Sequence, residues 1–174
     1  IGHGLSKAPE MVIVKQRGSS VALYSWQVYH SGLSGNANSL ALNNNHDATG
    51  DTNTFNNTAP TSSVFSLSND AYKNITNHSS TTYISYHFHS VEGYSKLGSY
   101  TGIASADSNF INLGFRPAYL LIKCAGANGY DWTIWDNKRD TQNVGGLVLF
   151  ASNNNDEYSD VKIDFLSNGF KLRA

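Results

Sequence analysis

Short apolar runs alternate along this chain with clusters of Asn, Gly, Ser and Asp. The clusters are typical of turns, because these residues adopt positive φ or cap a turn with their side chains. Residues 82–89 alternate between polar and apolar, whereas residues 11–14 and 119–122 are continuously apolar, as in strands covered on both faces. The predicted strands are residues 11–15, 22–29, 39–42, 63–67, 82–89, 118–124, 132–135, 146–150, 161–165 and 169–172.

The predicted fold is all-β, an antiparallel β-sandwich of lectin-like or jelly-roll type. No stretch of the sequence keeps the i, i+3, i+4, i+7 spacing of an amphipathic helix. Residues 43–60 are rich in Asn, Thr, Asp and Gly, and this composition predicts a long surface loop.

The chain also repeats itself. A Gly-apolar pair followed by Pro and by an apolar run that ends in Lys occurs at residues 4–15 and again at residues 114–123. Three further segments match, namely residues 26–30 with 132–136, 40–42 with 147–149, and 64–70 with 163–169. We therefore predict an internal duplication, in which residues 1–97 form a first β repeat and residues 98–174 a truncated second repeat. We expect the two repeats to share one core.

The repeats are unequal at their ends. Residues 83–89 close the first repeat and have no counterpart after residues 170–174, and residues 98–102 introduce the second repeat without a counterpart before residue 1. We expect the missing strands to lie outside this range or in a neighbouring chain.

Composition narrows the function. Charged residues make up 14% of the chain and the net charge is −1, and no basic stripe is present to neutralise phosphates, so nucleic acid is not an expected partner. No apolar run approaches the ~18 residues that a membrane-spanning helix needs, so membrane insertion is not expected either. A surface rich in Asn, Ser, Thr and Gly is common in extracellular β proteins and viral fibres, and its amides and hydroxyls suit sugars.

One family resembles this sequence over most of its length. The string Gly114-Phe115-Arg116-Pro117, the apolar run that ends at Lys123, and the later Asp136-Asn137-Lys138-Arg139 resemble a module of tail-associated proteins in marine bacteriophages, and residues 88–102 are similar to its linker between copies. The resemblance implies a lectin/glucanase-type β-sandwich carried on phage tail fibres, without established catalytic residues. The first repeat departs from the pattern, because His30 stands where the second repeat has Asp136.

The candidate ligand site lies in the second repeat. It consists of Trp132, Trp135, Asp136, Arg139 and Asp140. An aromatic ring stacks on the apolar face of a sugar, while carboxylate and guanidinium groups form charge-assisted hydrogen bonds to its hydroxyls. The alternative is that Trp132 lies in the core and that Asp136 and Arg139 form a bridge that holds a turn.

The sequence contains only weak indications of a metal site or a catalytic site. His87 and His89 share a strand face but lack a clear third ligand, and the acidic loops at residues 46–51 and 153–160 lack the spacing of a calcium loop. The sequence contains no Gly-x-Ser-x-Gly elbow, P-loop, dinucleotide fingerprint or zinc signature. We predict neither a metal nor a cofactor, and we do not predict an enzyme.

The sequence thus predicts a structural module of a virion, on a tail fibre or another surface appendage outside the host cell. Its expected partners are further copies of itself, with a trimer as one form, other virion proteins, and a host-surface glycan bound as an adhesin. Two alternatives stay open: a polysaccharide-degrading enzyme on a β-sandwich, and a spacer or decoration protein without a ligand.

Overall fold

The computed structural model describes residues 1–18, 24–50, 52–68, 75–79, 81–103, 105, 109–159 and 162–173. The first half contains the strands β1 (Met11–Gly18), β2 (Gln27–His30), β3 (Asn38–Ala41), β4 (Thr49–Gly50) and β5 (Thr82–Phe88), together with one helical turn, α1 (Thr52–Phe55). The second half contains β6 (Phe110–Asn112), β7 (Tyr119–Ile122), β8 (Thr133–Asp136), β9 (Leu149–Phe150), β10 (Lys162–Leu166) and β11 (Gly169–Arg173). The protein is therefore all-β, as predicted.

The described strands form three antiparallel sheets. The first half builds a five-stranded sheet in the order β4-β3-β2-β1-β5, and the second half builds two three-stranded sheets in the orders β7-β8-β9 and β10-β11-β6. Each named pair of neighbouring strands runs antiparallel.

The sheets form a sandwich-like stack, because alternate residues of a strand point to opposite faces. On one face of the five-stranded sheet, Ile13, Val28 and Leu40 pack with Trp132 and Leu121 of the second half. This cluster joins the two halves. The other face of β7-β8-β9 packs on β10 and β11 through a second cluster: Leu120, Trp135, Val148, Ile163, Phe165 and Phe170. The outer face of the five-stranded sheet carries a third cluster: Val12, Val14, Tyr29, Phe55 and Phe65.

The strands β1-β2 and β7-β8 pair in corresponding registers. Met11 lies opposite His30 in the first half, and Tyr119 lies opposite Asp136 in the second. These are the residues that the sequence repeat aligns with each other. The correspondence agrees with an internal duplication, which itself stays a prediction.

Hydrogen bonds at the ends of these strands correspond as well. The backbone N–H of Leu42 donates to the oxygen of Trp26 at 2.9 Å, and that of Ala151 donates to the oxygen of Trp132 at 2.9 Å. Three further pairs of hydrogen bonds correspond. Ser31 N donates to Glu10 O, as Asn137 N donates to Ala118 O. Trp26 N donates to Asn43 Oδ1, as Trp132 N donates to Ser152 Oγ, and His46 N donates to Asn44 Oδ1, as Asn155 N donates to Asn153 Oδ1.

One match of the repeat is displaced in the structure. Leu40 lies opposite Val28, and Leu149 lies opposite Ile134. The counterpart of Leu40 is therefore Leu149, two positions beyond the Leu147 that the sequence comparison aligned with it. The connection from β8 to β9 is longer than the one from β2 to β3, and the sequence alone does not show where the extra residues lie.

Several predicted elements differ from the structure. The predicted strand at residues 63–67 is wrong, since only Val64 forms a bridge, with Gly2, while Phe65 N donates to Ile1 O. The predicted loop at residues 43–60 contains β4 and α1, and β6 was not predicted. The predicted strand at residues 22–29 begins later, at Gln27, and residues 22–23 lie outside the described residues. In the part of the chain that is described, no helix is long and apolar enough to cross a membrane.

Candidate functional site

The two tryptophans of the predicted ligand site are buried. Trp132 is 4% exposed and Trp135 is 3% exposed. The Trp132 indole donates from Nε1 to the backbone oxygen of Ala41 at 2.9 Å and so links the two halves. Neither ring offers a face to a sugar, and the prediction of an aromatic platform at these positions is contradicted by their burial.

The charged residues of the predicted site form a clip within the second half. Arg139 Nε donates to Asp136 Oδ2 at 2.6 Å, and Arg139 Nη1 donates to Glu157 Oε1 at 2.6 Å. A third bond from Arg139 Nη2 reaches the oxygen of Ile134 at 3.1 Å. The backbone and side-chain hydrogen bonds from Arg139 lower the pKa of Asp136. The clip holds the turn after β8, as in the structural alternative.

Asp140 stabilises the next turn. Its Oδ2 accepts from the backbone N–H of Gly146 at 2.7 Å and its Oδ1 accepts from that of Gln142 at 3.3 Å. These N–H groups, Gly146 first, lower the pKa of Asp140. The exposed aromatic ring beside this region is Tyr119, opposite Asp136 in the sheet. Burial, and then the charge of Asp136, raise the pKa of Tyr119.

A polar cleft opens instead on the outer face of the five-stranded sheet, in the first half. Its volume is about 160 Å³. The cleft is lined by Ser25, Gln27, Ser39, Leu40, Ala41, Asn44, His46, Asp47, Thr49, Thr54 and Ile75. Hydroxyl, amide, imidazole and carboxylate groups therefore converge on one small cavity.

Strand pairing positions the floor of the cleft. Ser39 of β3 lies opposite Thr49 of β4, and Gln27 of β2 lies opposite Ala41, so these residues share one face of the sheet. Thr54 of α1 approaches from above, where Ser39 Oγ lies 3.5 Å from its Oγ1. The Thr76 hydroxyl donates to the backbone oxygen of Thr54 at 2.6 Å and fixes that turn.

The second half holds the loop that forms one wall of the cleft. The backbone N–H of Asp47 donates to Asn128 Oδ1 at 3.0 Å, and that of Ala48 donates to the oxygen of Ala125 at 2.9 Å. In the other direction, Gly129 N donates to Asn45 O at 3.0 Å. Contacts with the second half therefore hold this wall from one side. Within the first half, the backbone N–H of His46 donates to Asn44 Oδ1 and holds it from the other.

The position in the second half that corresponds to Ser39 is apolar and buried. The counterpart of the Ser39–Thr49 pair is the Val148–Tyr158 pair, which exchanges two backbone hydrogen bonds. Val148 is 0% exposed, in the cluster beneath β10 and β11. Phe150, the counterpart of Ala41 by strand pairing, packs against the same cluster. The scaffold therefore accepts apolar residues here, and the fold alone does not explain the polar lining of the first half.

The lining suits a neutral ligand that carries many hydroxyl groups. Its amides and hydroxyls both donate and accept hydrogen bonds, and the carboxylate of Asp47 accepts them. The described part of the lining contains no Lys or Arg to attract an anion. In the described residues, no group of three or more His, Cys, Asp and Glu side chains could hold a metal ion.

Sequence reasoning missed this cleft. It considered residues 46–51 only as oxygen ligands for calcium, and it placed the site in the second half. The signal that could have found the cleft is the change of polarity between corresponding positions, Ser39 against Val148. That signal depends on the strand pairing, because the sequence alignment of the repeat is displaced by two residues at this point.

Comparison with known proteins yields one match. The model of a family described as "Domain of unknown function (DUF7483)" matches residues 1–174. No curated protein matches the chain, and no solved structure matches it.

Proposed function

We propose that this chain, which belongs to the DUF7483 family of unknown function, is a glycan-binding adhesion module. Its ligand is a neutral saccharide, and the site is the polar cleft formed by β2, β3, β4 and α1. The mechanism is binding without bond chemistry.

One observation carries this proposal. Ser39, which is buried, and Thr49, which is exposed, line a polar cleft, while the counterpart of Ser39 is the buried apolar Val148 and the counterpart of Thr49 is the exposed Tyr158. A polar residue at a position where the fold accepts a buried apolar one costs stability. A ligand that uses these polar groups gives a reason for their presence.

The chemistry of the lining favours adhesion over catalysis. Among the described residues that line the cleft, Asp47 alone carries a carboxylate, whereas glycosidases generally use two carboxyl groups across the scissile bond. Each neutral hydrogen bond contributes about 0.5–1.5 kcal/mol net, so a single small cleft binds weakly. Many modules on one particle strengthen such binding through avidity.

The proposed setting is a tail fibre or similar surface appendage of a virion, outside the host cell. The resemblance of residues 88–102 and 114–139 to phage tail-associated modules supports this setting. A chain with 14% charged residues also suits a surface that contacts hydroxyl-rich polymers rather than nucleic acid. We propose other virion proteins and further copies of the chain as its protein partners.

A glycan array tests the proposal directly. The wild-type protein is expected to bind neutral saccharides, and Asp47→Ala is expected to weaken binding by about tenfold or more, because a hydrogen bond to a charged group contributes about 1.5–3 kcal/mol. The matched control is Asp156→Ala, which changes the corresponding exposed aspartate of the second half. The control should bind like the wild type.

Three results would contradict the proposal. A folded wild-type protein that binds no glycan supports the spacer alternative. Equal losses of glycan binding in Asp47→Ala and Asp156→Ala would show that the glycan does not bind in the cleft. Cleavage of a bound polysaccharide supports the enzyme alternative instead.

A further inference from the structure

Strand β5 (Thr82–Phe88) lies at the edge of the five-stranded sheet. It pairs with β1 from Met11–Phe88 to Gly18–Thr82, and its other side faces no strand in the described part of the chain. An edge strand presents unpaired backbone donors and acceptors that another strand can use.

Strand β5 lacks the charged residues and proline that usually protect an edge strand, and its register with β1 shifts near its start, between Gln16 and Gly18. Residues 82–88 contain no Lys, Arg, Asp, Glu or Pro. Along one face of β5, Ile84 is 40% exposed, Tyr86 is 41% exposed and Phe88 is 44% exposed. Soluble proteins blunt such edges with charges, proline or bulges, so an uncharged edge with an exposed apolar face indicates a surface that is covered in the assembled protein.

The exposed face of β5 continues the interface between the two halves. Tyr86 lies opposite Ile13, and Ile13 packs in the cluster that also contains Trp132. The ring of Trp26 stacks on Tyr86 with 6.4 Å between the ring centroids. The second half thus covers this sheet face beside β5 but leaves Ile84, Tyr86 and Phe88 exposed.

The sequence of β5 is complementary to itself when reversed. If two copies run antiparallel about Ser85, Ile84 of each lies opposite Tyr86 of the other, and Tyr83 lies opposite His87. Aromatic and aliphatic side chains directly opposite each other stabilise antiparallel sheets. The uncharged strand also places no like charges against each other in this arrangement.

We infer that two copies of this chain pair through β5, antiparallel, about a twofold axis at Ser85. The pairing joins the two five-stranded sheets into one continuous sheet. It is an isologous contact, which closes at a dimer. Pairing of β5 with a different edge, such as β7 of the next copy, is heterologous and generates larger rings or filaments.

Sedimentation of the purified protein tests this inference, with or without any glycan. The wild type is expected to be a dimer. Ile84→Lys and Tyr86→Glu, each alone, are expected to give monomers, because each places one unpaired charge in an apolar pair. The matched control is Tyr130→Lys, which adds a charge at another exposed aromatic, 58% exposed, and should leave the dimer intact.

The double variant tests the register. Ile84→Lys combined with Tyr86→Glu places the introduced lysine of each copy opposite the introduced glutamate of the other, and the dimer should return. A monomeric wild type, dimers in both single variants, no recovery in the double variant, or a larger closed or open assembly would each overturn the inference. Circular dichroism of all the variants shows that a monomer is folded.

Discussion

The two halves of this protein use the same three-strand arrangement in different ways. In the first half, β3 and β4 place the buried Ser39 and the exposed Thr49 along a polar cleft. In the second half, Val148 and Tyr158 are paired at the corresponding positions, and Val148 is buried under another sheet. The comparison distinguishes features that the fold requires from features that can vary between the two halves. The fold needs alternating strands in register, and it accepts either polarity at these positions.

The tryptophans that directly precede β2 and β8 differ in the same way. Trp132 is buried and donates a hydrogen bond to Ala41 across the junction. Trp26 is partly buried and stacks on Tyr86 near the edge of the sheet. The second half thus contributes a core residue to the junction, and the first half contributes a residue near its exposed rim.

The largest expected effect is a loss of stability at the junction between the two halves, where the two tryptophans differ. Trp132→Ala should lower the free energy of unfolding by about 3–5 kcal/mol, as expected for truncating a buried Trp. Trp26→Ala should cost clearly less, because its ring is already partly exposed. Urea unfolding of both variants measures the difference. A larger loss in Trp26→Ala would show that the junction depends on the first half.

A reciprocal exchange tests the polarity difference itself. Val148→Ser should cost about 3 kcal/mol, because it removes buried methyl groups and buries a hydroxyl. Ser39→Val should cost less than Val148→Ser, because it removes only a long hydrogen bond of 3.5 Å to the buried Thr54 hydroxyl and leaves no cavity. Thermal or urea unfolding of the two variants provides the measurement. Equal costs would mean that both positions are set by the fold.

The charged clip is present in the second half, while the first half has His30 in place of Asp136. Arg139→Ala should cost about 1 kcal/mol, because its partners are partly exposed and screened by solvent. Lys138→Ala is the control on the same turn, since Lys138 is exposed. If Arg139→Ala leaves the free energy of unfolding unchanged, the clip does not stabilise this turn.

The smallest expected effect is a difference in acid sensitivity between the corresponding residues His30 and Asp136. Burial lowers the pKa of His30, against a smaller opposing effect of Glu10, and its Nδ1 accepts from Gly32 N. The unfolded chain therefore binds this proton more readily, so the contribution of His30 to stability is full at neutral pH. It falls as the pH drops below the ordinary value of about 6.5.

Asp136 behaves differently, because its pKa is lowered by the hydrogen bonds from Arg139. Its contribution is present above the ordinary pKa of an aspartate and is lost as the pH falls through the lowered value of the folded state. His30→Asn should flatten the decline in melting temperature between about pH 7 and pH 5, and Asp136→Asn should not. The opposite pattern would contradict the assignment of these two groups.

The sequence predicted much of the scaffold and little of the proposed binding cleft. The apolar runs at β1 and β7 and the alternation at β5 are local signals, and the structure confirms strands at all three places. Strand β6 was missed because its pairing with β11 joins residues that are far apart in sequence. Such contacts leave no local periodicity.

The sequence and the structure point to different candidate sites for a related reason. Trp132 and Asp136 resemble a sugar site in composition, but burial and the Arg139 clip are consequences of packing that the sequence does not state. The cleft was hidden because the counterparts Ser39 and Val148 can be aligned only after the strand register is known. The sequence alignment instead set Leu40 against Leu147.

The most direct test of the central claim is the affinity of Ser39→Val for the neutral glycan that the wild type binds most tightly on the array. Calorimetric titration gives that affinity, and urea unfolding of the same sample shows that the fold is intact. We predict a folded protein that has lost binding, because a single apolar side chain gives the cleft the polarity of the second half. Wild-type affinity in a folded Ser39→Val protein would contradict the claim that the polar cleft is the site.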